Sequence, residues 1–248
     1  MRSEIYQALN SRANFSPSRT TVVLKVGTGN DEKTYQVDAN ALRALSGYFR
    51  TYFSGSRELL AFPDDDPLVF EMFLEWSKRP KRPIHYHPGQ YSEEPWISNA
   101  VPAWMLAHRL GVPRFEMYAL SQFIQNCAIA IKGPWKFIED NVPSTSSLFR
   151  FGAHWVAWNT SLSGIGANEY TGLRAAVNAA QVNNSTRDPR IYDLDHWYSD
   201  CGYKINPKCE HDPVSQEQEQ RAKSFRDRPP PPEWGFEAED QASVRATY

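Results

Sequence analysis

Apolar positions along the first half of the chain repeat with two different periods. Thr20 to Val26 is β-branched and apolar and stops at the Gly27-Thr28-Gly29-Asn30-Asp31 cluster, which predicts a strand and a tight reversal. The return, Lys33 to Val37, alternates polar and apolar residues, so the pair is predicted to be a hairpin. Asp38 stands where a helix N-cap belongs, ahead of Ala41, Leu42 and Leu45, and Ser46 can cap a second helix over Gly47 to Phe53. In that second helix Tyr48, Phe49, Tyr52 and Phe53 recur with helical period and predict one apolar side. Leu59 to Phe62, ended by Pro63, predicts a short buried strand. Val69, Met72, Phe73 and Trp76 then form a helical stripe behind acids and a proline at the helix start. Lys78 to Pro83 breaks that helix. Beyond a loop rich in His, Tyr and Glu, Val101 to Leu110 predicts a helix ended by Gly111, and Arg114 to Ala130 another, with Leu120, Phe123, Ile124 and Cys127 as its buried stripe.

Pro, Ser and Gly separate three further predicted helices, Trp135 to Asn141, Ser147 to Trp158 and Tyr170 to Val182. From Asn183 apolar content falls while charge and proline rise. Pro229 to Pro232 favours extended polyproline, so most of 183–248 is expected to be a disordered tail. The resulting organisation is an N-terminal segment (1–19), a mixed domain (20–130), a helical extension (131–182) and the tail.

Composition narrows the function classes. Of 248 residues, 41% are apolar and 23% charged, which suits a globular chain. Twenty-seven Lys and Arg against 29 Asp and Glu give a formal charge of −2, so no basic excess is present to neutralise a nucleic-acid backbone. No apolar run approaches the roughly 18 residues of a spanning helix, and Met1 to Thr20 lacks the apolar stretch of a secretion signal. Three cysteines do not make a disulfide framework. The expectation is an intracellular chain, in the cytoplasm and/or nucleus. Aromatic residues at 13%, eight of them Trp, supply large buried area to a core or an interface.

The block from Tyr35 to Phe49 (Tyr-Gln-Val-Asp-Ala-Asn-Ala-Leu-Arg-Ala-Leu-Ser-Gly-Tyr-Phe) resembles the signature of BTB/POZ domains: an aromatic entering a helix, a Leu, then Ser, a small residue and aromatics. The likeness continues through Phe53 to Glu58, Leu60 to Pro67, Phe70 to Trp76 and Leu106 to Pro113, about half the chain in order. Glu139 to Pro143 leading into Ser147 to Arg150 is similar to the layout of small BTB proteins common in fungi.

This resemblance implies an α+β fold, a three-stranded sheet flanked by short helices, followed here by the helical extension. It also implies protein association rather than catalysis. The charged dimer pocket of well-studied members has no counterpart, since Thr21, Asp38 and Ala39 occupy the aligned positions, which leaves homodimerisation or pairing with another BTB protein open. Another branch of the family binds cullin ubiquitin-ligase scaffolds through a hydrophobic-x-Glu element. Tyr91-Ser92-Glu93 is the nearest candidate, two residues from the ungapped position at Pro95. Ile5, Leu9 and the helix around Leu42 lie nearest the family's association face, with Phe49 read as core.

Other constellations carry less chemistry. Lys78-Arg79-Pro80-Lys81-Arg82 suits an import signal or a solvated loop after a helix. His85 and His87 on one side of a strand would need Glu93 or Glu94 to hold a metal. His196, Cys201, Cys209 and His211 are weak zinc candidates without paired knuckle spacing. Ser161 to Gly166 lacks the strand and third glycine of a phosphate cradle, and Asp64 to Asp66 is explained by a helix start. Trp155, Trp158, Trp197 and Tyr198 read as packing. No catalytic triad or dyad has local support, and no cofactor is expected. The expected function is a non-catalytic interaction module, either a scaffold or a cullin-ligase substrate adaptor. The alternative is a nuclear transcription or chromatin cofactor acting through the same association.

Overall fold

Alternation along the first strand decides which side of the sheet meets the core. In the computed structural model the described residues are 21–53, 59–84, 92–127, 133–163, 173, 178 and 188–199. Among them the fold is mixed α+β, with a three-stranded sheet and eight α-helices. The chain divides into two compact units, residues 1–67 and 68–248.

In the first unit, β1 (Thr21–Val26) pairs antiparallel with β2 (Lys33–Asp38) and parallel with β3 (Leu59–Phe62), giving the order β2-β1-β3. Val22, Leu24 and Val26 share a buried face with Tyr35, Leu60 and Phe62, as a period of two requires. Gly27, at φ +82°, takes the left-handed conformation that ends β1, and its N–H donates to the Phe62 carbonyl at 2.9 Å. The two helices after β2 begin where their caps predict. The Asp38 carboxylate accepts from Asn40 N at 2.8 Å ahead of α1 (Ala39–Leu45), and Ser46 Oγ accepts from Phe49 N ahead of α2 (Gly47–Tyr52). Phe49, Phe53 and Phe62 form one aromatic cluster, with Phe49 wholly buried.

Two expectations about this unit are corrected. The β3 strand is only half-buried: Leu60 and Phe62 face the core while the alternate residues Leu59 and Ala61 are exposed, and among the described residues β3 is an edge of the sheet. The three aromatics of α2 and Phe53 at its C-cap do not form one buried side: Phe49 and Phe53 are buried while Tyr48 is 37% exposed. Only one face of a six-residue helix can meet the core.

The helix α3 (Pro67–Ser77) starts at the division between the units, and its Val69, Met72, Phe73 and Trp76 are buried, as is Phe70. Phe73 and Trp76 pack on Phe115 at ring distances of 5.3 and 5.1 Å. Phe115 belongs to α5 (Pro113–Asn126), which packs with α4 (Trp96–Leu110) as a helical hairpin. Between them Gly111 sits at φ +62°, and the Val112 and Gly111 amides return to the carbonyls of Ala107 and His108. The helix α4 begins five residues before the expected Val101 and runs through Pro102. Trp96, packed on Phe115 and Tyr118, anchors the extra turn, and that tertiary contact offsets the backbone bond proline removes. The helix α5 ends at Asn126 rather than Ala130, with Cys127 extended at its end.

Next come α6 (Trp135–Asn141), α7 (Ser147–Ser163), a 3₁₀ turn (Pro189–Ile191) and α8 (Leu194–Tyr198). A chain of rings, Trp135 to Phe123 to Phe151 to Trp197, joins α6, α5, α7 and α8 at centroid distances of 5.3 to 6.1 Å. The expected boundary at 182/183 does not separate Asp188–Ser199 from the extension, because these residues fold onto α7 through buried aromatics and an arginine. Of the helix expected over Tyr170 to Val182, Leu173 is not helical, at φ +63°, Asn178 is helical, and the other positions lie outside the described residues. No helix among the described residues is long and apolar enough to cross a membrane.

Candidate interaction surface

Among the described residues, the face of the sheet turned away from its core is the more exposed one. Cross-strand pairing puts Leu59, Val23 and Gln36 in one row and Ala61, Lys25 and Thr34 in the next. Leu59 is 52% exposed and Ala61, Gln36 and Thr34 are exposed, while Val23 and Lys25 are half-buried. Lys25 reaches Glu32 at 3.1 Å, an exposed pair at the border of this face. The outer backbone edge of β3 has no neighbouring strand among the described residues. Edge strands offer unpaired backbone groups to another chain, and here the edge is short and stopped by Pro63. In the same unit Tyr48 stacks on Tyr52 with centroids 5.6 Å apart and leans against Phe62. Phe62 belongs to the buried face, so the two rings lie on the helix side of the sheet, and the first unit presents two separate exposed patches, a mixed apolar and polar sheet face around Leu59 and an aromatic one at Tyr48.

In the second unit, the segment entering α4 is pinned from below. Ser92 N donates to Asn126 Oδ1 at 2.8 Å and its hydroxyl bonds Gln122, and both of those side chains are buried. Asn126 Nδ2 donates onward to the Trp96 carbonyl at 3.5 Å. Glu93, the next residue, is left exposed on a fixed stretch of backbone.

Asp188–Ser199 closes over α7. Arg190 and Asp188 form a bidentate ion pair, 4% and 3% exposed, and the guanidinium also donates to the Cys127 carbonyl at 3.1 Å. It lies over the rings of Trp155 and Trp158 at 4.9 and 5.6 Å. Arg150 of α7 bonds the Trp197 and Ser199 carbonyls. His154, edge-on to Trp197, has its pKa lowered to about 4, first by burial and then by His196 and Arg150. Burial pushes the Cys127 thiol well up, so it is a neutral, inert side chain in the fold. At the α4–α5 turn, Glu116 Oε2 lies 3.4 Å from His108 Nδ1. Its carboxyl is raised by burial against the opposing pull of His108.

The structure places the expected site residues unevenly. Leu42 is only 2% exposed, so it is core and contributes no docking surface; the spacing that marks a helix's apolar face does not say what covers it. Glu93 is accessible, as a contact residue must be, whereas Ile5, Leu9 and Tyr91 lie outside the described residues, as do His85 and His87. Of the zinc candidates, His196 is buried with its ring stacked on Tyr192 at 4.2 Å and edge-on to Trp197, while Cys201, Cys209 and His211 lie outside the described residues. Among the described residues no three His, Cys, Asp or Glu side chains gather as a metal site. Trp155, Trp158 and Trp197 are core as read, with Tyr198 at the rim at 36% exposure. Sequence reasoning missed Leu59 as an exposed residue and the Asp188–Arg190 clasp. Asp-Pro-Arg is a turn signal that was available, but its anchors are more than 30 residues away. No protein-family model matches the chain, and no curated protein matches it significantly.

Proposed function

We propose that the chain is a non-catalytic protein–protein interaction module of the BTB/POZ type, acting as a scaffold or as a substrate adaptor for a cullin ubiquitin ligase. The supporting observation is the first unit. Its order β1-β2-α1-α2-β3, folded as a β2-β1-β3 sheet with β3 parallel to β1, agrees with the three-stranded, helix-flanked architecture that the Tyr35 to Phe49 block implies by resemblance. The exposed sheet face around Leu59, the Tyr48 and Tyr52 rings and the fixed, exposed Glu93 give such a module surfaces to present. Partners bind by burying apolar area there, and a stable contact needs about 800 Å² on each side.

Molar mass measured by light scattering during size-exclusion chromatography, alone and with a cullin N-terminal domain, tests the reading. A complex that Glu93→Lys weakens supports the adaptor role, and a self-associated chain that ignores the cullin supports the scaffold. A monomer that ignores the cullin overturns both.

A further inference from the structure

The strongest charge concentration among the described residues is the turn after α3. Four cations, Lys78, Arg79, Lys81 and Arg82, occupy five consecutive positions. The turn is folded, not extended. Arg79 N donates to the Trp76 carbonyl at 3.0 Å and Arg82 N to the Arg79 carbonyl at 3.1 Å. The Arg82 side chain donates back to the Trp76 carbonyl at 3.0 Å and covers the Tyr118 ring at 4.9 Å. A fifth cation, Arg114 at the start of α5, closes the turn from the other side, donating to the Pro80 and Arg82 carbonyls at 3.1 and 3.2 Å.

Local structure accounts for only part of this charge. Lys78 pairs with Glu75, and Arg82 satisfies the last carbonyls of α3, where its dipole favours a cation. Arg79 and Lys81 are exposed and have no ion-pair partner among the described residues. They sit on a turn that Arg114 stiffens while adding its own charge. Holding these cations together is unfavourable in the isolated chain and favourable when an anion is near.

We propose that this turn is a docking site for an acidic segment of a partner protein, with Arg79 and Lys81 as its contacts and Arg114 and Arg82 as the residues that hold it in shape. The inference rests on the interaction-module reading for the class of partner. An import receptor would need the segment extended, which its internal bonds oppose. A single-stranded nucleic acid would need an open aromatic face for its bases, and the Tyr118 ring already carries Arg82. Carboxylates of an acidic peptide need only closely spaced, accessible cations.

The test uses the full chain and a short fluorescein-labelled peptide rich in Glu and Asp, followed by anisotropy at low and physiological salt, with a poly(U) RNA as the competing polyanion. The peptide is expected to bind and to weaken with salt. The double substitution Arg79→Gln and Lys81→Gln should weaken it roughly fivefold to tenfold with an unchanged thermal midpoint. Arg114→Lys keeps the charge but lacks the planar fork that reaches both carbonyls, so weaker binding in that variant identifies the shape of the turn as the cause. No peptide binding, equal binding by the double variant, or tighter binding of poly(U) would overturn the proposal. Self-association and cullin binding measured on the same samples report separately on the interaction-module reading, so either can fail while the other stands.

Discussion

Arg190 and Asp188 are two residues apart and meet through two parallel contacts, Nη2 to Oδ2 at 2.7 Å and Nε to Oδ1 at 3.0 Å, with both side chains almost wholly buried. The pair ties Asp188–Ser199 to α5 through the Cys127 carbonyl and to α7 through the faces of Trp155 and Trp158. Arg190→Ala would strand a buried carboxylate, and its expected cost is about 3 to 5 kcal/mol. Replacing both residues, Asp188→Leu with Arg190→Met, should cost less than Arg190→Ala alone, because no charge is left unpaired. Urea denaturation of the three proteins checks this, and a double variant worse than Arg190→Ala would contradict it.

Acid should release the same region. His154 has a folded pKa of about 4 against an ordinary 6.5, so the unfolded chain binds its proton more tightly. Its neutral form therefore contributes stability that is fully present above pH 6.5 and is lost as the pH falls toward 4. The shift corresponds to something on the order of 3 kcal/mol. In His154→Phe that part of the pH dependence should be missing. Denaturation midpoints of both proteins between pH 4 and 7 give the comparison, and parallel curves would show that His154 plays no part.

Neighbouring leucines of β3 should behave in opposite ways. Leu60 is 2% exposed, and Leu60→Ala is expected to destabilise by about 2 to 5 kcal/mol. Leu59 is 52% exposed, so Leu59→Lys should change stability by only about 0.5 kcal/mol while reducing any association through the exposed sheet face. Thermal melts with light scattering separate the two effects.

Gly111 isolates a backbone effect. It holds φ +62° and ψ 48° at the end of α4, and a Cβ there would meet nothing within 4 Å. Gly111→Ala is therefore expected to cost about 1 kcal/mol from conformation alone, and Gly111→Asn less. A loss several times larger in the alanine variant would show that more than conformation is at stake there.

Local chemistry was legible where a side chain acts on its own stretch of backbone. Asp38, Ser46 and Gly111 marked helix ends that the structure has, and the stripes Val69 to Trp76 and Leu120 to Cys127 are buried as spaced. Reading failed where two apolar positions look alike in sequence. Tyr48 and Phe49 are adjacent aromatics in one short helix, yet one faces water and the other is wholly buried. Likewise Leu59 and Leu60 differ only in which face of an edge strand they occupy.

What the amino-acid order by itself determined is the run of strands and helices, because hydrogen-bond periodicity and capping act over a few residues. What only the tertiary structure decided is which faces are the more exposed, that Leu42 is core, that Ser92 fastens Glu93 to the end of α5, and that Asp188–Ser199 belongs to the helical core. Each of these depends on groups about 30 or more residues apart, or on which face of an element meets the core, and neither leaves a mark in local spacing.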